Sequence, residues 1–526
     1  MPQPSASDAP WQSAQRQFQA GNFPAARVEA ERVLVLEPWH SGAHLLLSNL
    51  SSAQERHRDA IQQALLAAQR MGRQSLQHVA AVALKLISVG EYEAAATLVR
   101  KIDPERVPAP GSLAEFSQQL SLLEQHQDAL RYLDAALGLG LDGDWVHYVH
   151  GNYLKFLGRM DEALVAYEHS LALSPNQALA HYAIATTAGR EGAGARIDRL
   201  RRSIDHVGPG FRELAYLYYA LFRELDSGED TAAAWAALEA GFNDRRARVS
   251  YDAAEESAVF DEVIARTPAG FAQGGAPDPG GPVPVFILGL PRTGTTLLER
   301  VLGGNPGIAL CGELNDFRMQ YKWASDHFCL GFFDRRAAQL LGSVDHAELG
   351  RRYQQHVAWR IPAASSHFTD KNPGNFMMAG PILRALPQAR ILHLRRNPMD
   401  ACFSNLKELF GANAHPYSYG FADLASHHGN YMRLMAHWHE IAPGRILDVH
   451  YEELVSDPEA STRRVMAYLG LPYDAQQIRV ESHAAPVSTA SSAQVRQPIH
   501  RRNVGGWMRY AAQLGPLREL LEGSRG

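Results

Sequence analysis

Residues 284–302 read P-V-F-I-L-G-L-P-R-T-G-T-T-L-L-E-R-V-L, and the fold of the second half of the chain follows from them. The apolar run 285–288 is too short for a helix and the right length for a buried strand. Gly289, Pro291 and Gly294 interrupt it. From Thr295 onward Leu297, Leu298, Val301 and Leu302 share one helical face. Strand, glycine loop and helix in that order aim backbone N–H groups and a helix N-terminus at an anion. The spacing G-x-x-x-x-G-T-T nearly matches the phosphate-binding pattern G-x-x-x-x-G-K-[ST]. Thr295 stands where that pattern has lysine, and the cation sits inside the loop at Arg292. A loop without that lysine loses its contact with the β- and γ-phosphates. The stretch therefore reads as a cradle for a phosphate that is not part of a triphosphate with Mg²⁺.

Further segments repeat the design of a short apolar run ending in polar residues. In I-A-L-C-G-E-L-N-D-F (308–317), Glu313 follows a short strand, at the edge where open α/β sheets bind ligands. In H-F-T-D-K-N-P-G-N-F (367–376), Lys371 stands in the same position. The strand A-R-I-L-H-L-R-R (389–396) runs into N-P-M-D-A-C-F-S-N-L, which puts Arg396 at a strand end and Ser404 on the next helix. Such a pair can hold one phosphate, the arginine through a forked contact. A last strand, G-R-I-L-D-V-H-Y (444–451), brings in Tyr451. Taken singly, each residue has an ordinary alternative: a solvated glutamate, a surface lysine, a hydrogen-bonded core tyrosine. Residues 316–360 read as amphipathic helix, with Trp323, Phe328, Phe332, Phe333 and Tyr353 as core.

The first half repeats. Gly21, Arg56, Gly90, Gln125 and Gly158 occupy equivalent turns at intervals of 35, 34, 35 and 33 residues. That is close to the roughly 34-residue helix–turn–helix period of tetratricopeptide repeats. Ala26, Ala60, Ala95, Ala129 and Ala163 would let the paired helices approach closely. Such units stack into a solenoid with a concave face, which serves either as a groove for a peptide or protein or as a stiffening or dimerising array. Residues 268–284, rich in Gly and Pro, read as a linker. The expected domains are 1–245 (repeats), 246–283 (helix and linker) and 284–526 (catalytic).

In 526 residues a net charge of −5 argues against broad nucleic-acid binding. Three cysteines cannot form a disulfide framework, which suggests a reduced, cytoplasmic setting. No signal peptide and no run of 18 apolar residues is visible, so no membrane span is expected.

The loop P-R-T-G-T-T, then C-G-E, D-K-N-P, R-N-x-x-D-x-x-x-S and Y-E-x-L-x-x-D-P, resembles the sulfotransferases segment by segment and in order. The catalytic half is similar to the tyrosylprotein class, and with its repeats the chain resembles a bacterial-type tetratricopeptide-repeat sulfotransferase. The resemblance implies an α-solenoid followed by a P-loop-like α/β domain with a central parallel sheet. It implies PAPS (3′-phosphoadenosine 5′-phosphosulfate) as co-substrate and no metal. Arg292, Thr293, Gly294, Thr295 and Thr296 would hold the 5′ end; Arg396 and Ser404 would hold the 3′-phosphate, with Tyr451 near the nucleotide. Glu313 would be the general base, and Lys371, Arg292 and Ser491 would support the sulfuryl group and the leaving phosphate. The implied reaction is sulfuryl transfer to a hydroxyl, with peptide tyrosine favoured by C-G-E and by the repeat groove. A sugar or lipid hydroxyl, or a non-catalytic repeat scaffold, is the alternative. The sequence departs from the family at Gly506, before Trp507, where Lys or Arg is usual; Arg501, Arg502 and Arg509 are the candidates to replace it.

Overall fold

The computed structural model describes residues 5–523 except 70, 72–73, 227, 229, 274–276, 279, 330, 412–413 and 483–495. It forms two compact units. One comprises Met1–Leu141 with Asn315–Arg360, the other Asp142–Leu314 with Ile361–Gly526.

In the first unit the repeat pattern becomes antiparallel helix pairs, among them Ser41–Ala53 with His57–Gln69 and Leu76–Val89 with Tyr92–Arg100. Ala26, Ala60, Ala95 and Ala129 are fully buried where helices cross, as is Ala163 in the second unit. The turns need a left-handed residue. Gly21, Gly90 and Gly158 supply it, whereas at the Arg56 and Gln125 turns Glu55 and Glu124 adopt positive φ one position earlier.

Residues 316–360 are helical, in separate pieces. They form Asp316–Ser325, Arg335–Gln339 and His346–Val357, with irregular chain between. Of the five aromatic residues expected in a core, Tyr353 is fully buried. Trp323 is instead clasped by two guanidinium groups, Arg352 at 3.8 Å and Arg58 at 4.7 Å from its ring centre. Arg58 also donates to the carbonyls of Trp323 (2.9 Å) and Ala324 (2.8 Å). The repeat helices of this unit thus grip a segment of the chain that follows Glu313 in sequence.

The second unit holds a five-stranded, all-parallel sheet of order β2-β3-β1-β4-β5: β1 Val283–Gly289, β2 Ile308–Ala309, β3 His367–Asp370, β4 Arg390–Arg395 and β5 Ile446–His450. The first strand lies in the middle, with later strands added on both sides, which creates a switch point at its carboxyl end. Val285, Ile287, Leu392, Leu394 and Val449 pack one face against Leu298 and Leu302 of the loop helix. A second core joins the repeat-like helices Leu214–Asp226 and Thr231–Arg248 to the sheet domain: Leu217, Tyr219, Phe222 and Leu238 bury against Phe403, Leu406, Tyr510 and Leu517. Among the described residues no helix is long and apolar enough to cross a membrane.

Gly90 has φ +89°, and a β-carbon there would lie 2.7 Å from Cβ of Met319. Gly90→Ala is therefore expected to destabilise the first unit by about 1–3 kcal/mol. Guanidinium unfolding should show a lower midpoint; an unchanged midpoint contradicts this seating of Met319.

Candidate active site

The carboxyl ends of β3, β1 and β4 lie side by side, and the glycine loop leaves from the middle one. Gly289 has φ +151°, and a β-carbon on it would stand 2.6 Å from the Leu394 carbonyl oxygen. Gly294 has φ +107°, and a β-carbon there would stand 2.6 Å from the Tyr451 ring. Both positions need glycine because the loop runs directly against its neighbours. Between them Arg292 has φ +67°, an uncommon conformation for a non-glycine residue.

The loop carbonyls are tied back into the protein. Leu290 accepts from Thr293 Oγ1 (2.7 Å), Pro291 from Asn405 Nδ2 (2.8 Å) and Arg292 from the Arg396 guanidinium (2.9 Å). A loop whose carbonyls turn inward presents its N–H groups on the other side, the arrangement of an anion cradle. Thr295 and Thr296 begin the helix Thr295–Leu302 that follows.

The Arg292 guanidinium lies 3.5 Å from Glu408, which is buried. Glu408 also accepts from Arg223 (2.8 Å) and the Tyr182 hydroxyl (2.8 Å). Burial pulls this carboxyl up, but the charges of Arg292 and Arg223 outweigh it and hold the group below its ordinary range.

At the end of β4 Arg396 lies over the Tyr451 ring, 4.7 Å from its centre, and donates to the Asn503 carbonyl. Ser404 is buried on the helix Pro398–Leu406, whose cap Asn397 accepts from the N–H groups of Met399 and Asp400. Asp400 accepts from the N–H groups of Gly505 (2.7 Å) and Trp507 (3.3 Å), fastening the C-terminal segment at Gly506. Of the replacements considered for that position, Arg509 donates to the carbonyls of Asp226 and Gly228, and Arg501 and Arg502 are exposed. Ser491 lies outside the described residues.

At the end of β3 Lys371 is fully buried and donates from Nζ to Oε1 of Glu313 at 2.5 Å; the Glu313 side chain is 44% exposed. The structure thus joins the proposed base directly to the proposed lysine. Glu299, which sequence reasoning passed over, supports both. It is buried on the loop helix and accepts from the Gly312 N–H (3.1 Å) and Thr369 Oγ1 (2.8 Å). Burial pushes its carboxyl above the ordinary range, against the pull of Lys371. An acid among Leu297, Leu298, Val301 and Leu302 was the available signal. His367 opens β3 in register with Val283, at the amino-terminal end of the strand and away from Lys371.

On the other face of the sheet His393 and Asp448 pair in register, and Asp448 Oδ1 accepts from His393 (2.7 Å) and His439 (3.0 Å) while Arg395 holds Oδ2 (3.0 Å). His393 also bonds the Tyr431 hydroxyl, which meets the Leu290 backbone. A hydrogen-bonded chain therefore runs from β5 to the glycine loop. A cavity of about 650 Å³ opens at this edge, lined by Leu290, Thr293, Arg395, Arg396, His428 and Arg433 among others.

Residues 284–475 match the family model described as the sulfotransferase family. The chain carries a sulfotransferase-family domain. An uncharacterized protein of Aquifex aeolicus is 32% identical over 256 residues, covering 45% of this chain and 32% of that protein. The protein-tyrosine sulfotransferase of Drosophila melanogaster is a distant relative, 22% identical over 245 residues, covering 43% of this chain and 46% of that protein. The chain thus spans about a third and about half of the length of these two relatives. The sulfotransferase domain from the Synechococcus PCC 7002 olefin synthase is similar at 21% identity, covering 48% of this chain and 97% of that domain, with a TM-score of 0.33.

Burial would raise the Asp448 carboxyl, but hydrogen bonds from His393 and His439 hold it well below the ordinary carboxylate range. A depressed carboxylate contributes stability above its unfolded pKa of about 3.9 and loses it as pH falls further. Asp448→Asn should therefore lower the melting temperature of the sulfotransferase domain at pH 7. Its deficit relative to wild type should shrink below about pH 4. A deficit independent of pH would show that shape alone, and not the charge, supports the loop.

Proposed function

We propose that the chain transfers a sulfuryl group from PAPS to an acceptor hydroxyl, with the tyrosine of a peptide or protein as the favoured acceptor. The observation that carries this reading is the Lys371–Glu313 pair at the end of β3, beside the glycine loop that ends β1. The donor supplies an activated sulfuryl group on a phosphate leaving group. Around it Arg292 and the 293–296 backbone and hydroxyls would hold the 5′ end, and Arg396, Ser404 and Tyr451 the 3′-phosphate and nucleoside. Arg292, Lys371 and Arg396 bring the positive charge that phosphoryl transfer draws from Mg²⁺, so the proposed reaction requires no metal.

Glu313 takes the acceptor proton as the acceptor oxygen bonds to sulfur. The bond from sulfur to the bridging oxygen breaks, and its electron pair leaves on adenosine 3′,5′-bisphosphate. Protonation of Glu313 neutralises the partner of Lys371, whose charge then turns to the oxygen where negative charge is growing. Charge stabilisation of this kind, in a loose in-line transition state, is the main work asked of the residues. Ser491 is proposed to support the same leaving group.

The protein-tyrosine sulfotransferase relative favours a peptide acceptor, and the helical repeats offer a surface for one. We assign residues 1–245 to that role, 246–283 to the connection and 284–526 to catalysis, and place the chain in the reducing cytoplasm, consistent with its three buried thiols. Incubation with ³⁵S-labelled PAPS and a lysate is expected to label tyrosine in protein. Label recovered only in carbohydrate or lipid moves the acceptor to those classes, and no label at all argues for a scaffold.

Glu313→Gln preserves shape and removes the base. Turnover should fall about 10²–10⁴-fold, while affinity for adenosine 3′,5′-bisphosphate and the melting temperature stay near wild type. Wild-type turnover in this variant removes Glu313 from the mechanism.

A further inference from the structure

In the first unit, the irregular chain between the helices Asp316–Ser325 and Arg335–Gln339 brings His327, Cys329 and Asp334 together. One ligand atom from each, a ring nitrogen, Sγ and a carboxylate oxygen, lies within 4.8 Å of the other two. His327 Nε2 is 2.9 Å from Asp334 Oδ2, while Oδ1 of the same carboxylate caps the next helix at the Ala337 N–H (2.7 Å). His327 Nδ1 lies 3.7 Å from the carboxylate of Glu55, the residue of positive φ at a repeat turn. Lys322 Nζ donates to the carbonyls of Cys329 and Gly331, which fixes the turn that carries the thiol. The thiol itself is buried and directs its proton to the Gly331 carbonyl (3.7 Å). Thiolate, imidazole and carboxylate in one set are zinc donors. Zinc bonds of about 2.0–2.3 Å at tetrahedral angles put ligand atoms roughly 3.3–3.8 Å apart. Closing the set on an ion therefore takes a movement of about an ångström, in a stretch without regular secondary structure. The charges also balance. Zn²⁺ offsets the Cys329 thiolate and the Asp334 carboxylate, and Lys322 offsets Glu55. With Glu55 holding Nδ1–H, the imidazole presents Nε2 to a metal, the usual outer partner of a zinc-bound histidine. A plain hydrogen bond between His327 and Asp334 would need neither the thiol nor Glu55.

We propose that His327 Nε2, Cys329 Sγ and Asp334 Oδ2 bind a Zn²⁺ ion, with water in the fourth position and Glu55 as the outer carboxylate on His327. Binding displaces the Cys329 proton to solvent. The ion fastens the chain that follows Glu313 to the repeat turn at Glu55. Its role is structural and separate from sulfuryl transfer, so it stands or falls independently of the donor site.

Full-length wild type, Cys329→Ser and Glu55→Gln are stripped with a chelator, titrated with Zn²⁺ against a chromophoric competitor, and melted with and without the ion. Co²⁺ is then added in place of Zn²⁺ to read thiolate coordination from the sulfur-to-cobalt charge-transfer absorption. Wild type should bind one equivalent of Zn²⁺, melt at a higher temperature with it, and show the cobalt–thiolate absorption. Cys329→Ser should lose that absorption and, with Zn²⁺ present, melt where stripped wild type melts. Glu55→Gln should keep the absorption and bind Zn²⁺ about ten- to a hundredfold more weakly. A wild type whose melting temperature does not respond to Zn²⁺ overturns the proposal. So does an equivalent of metal that Cys329→Ser retains at wild-type affinity, since it would be held elsewhere.

Discussion

The close approach of the glycine loop to β4 and to Tyr451 is the constraint on which the rest of the site depends. Gly289 meets the Leu394 carbonyl and Gly294 meets the Tyr451 ring at distances that exclude any β-carbon. Once the loop is pressed that close, its carbonyls find donors within the protein, from Thr293, Asn405 and Arg396. The anion-facing geometry thus follows from packing. The same contact explains why Arg396 and Tyr451 act together: one holds the loop carbonyl, the other forms the wall against Gly294, and they stack on each other.

Two buried carboxylates, Glu408 and Glu299, and the partly buried Asp448 organise the groups around this loop. Glu408 spaces Arg292 from Arg223, Glu299 fixes the backbone on which Glu313 and Lys371 stand, and Asp448 anchors the His393–Tyr431 chain that reaches Leu290. Each carboxylate accepts at least two hydrogen bonds or ion pairs, which is what makes its burial tolerable. Positive charge still prevails near the loop, where Arg292 and Arg223 share Glu408 and Lys155 lies close enough to act on it, with Arg396 holding the loop carbonyl. That excess suits a ligand bearing separate phosphate groups at its two ends.

The strands and the loop were legible because local pattern determines them: an apolar run, a glycine break and a helical face need only a few neighbouring residues. The repeat period was legible for the same reason, and the buried alanines fall where it places them. What stayed hidden depends on partners distant in sequence. Nothing around Glu408 announces Tyr182 and Arg223, and nothing in the 316–360 pattern reveals that Arg58 and Arg352 clasp Trp323, so its aromatic residues read as core. Glu299 was the nearest to legible, an acid embedded in an apolar helix face, yet its role emerges only with Gly312 and Thr369 in place.

The most direct measurement is a crystal structure of the chain with adenosine 3′,5′-bisphosphate and no divalent metal ion. The expected density places the 5′-phosphate in the 290–296 loop and the 3′-phosphate against Arg396 and Ser404. A nucleotide bound away from the loop, or one that enters it only when Mg²⁺ is added, would contradict the assignment of this crevice as a sulfuryl-donor site.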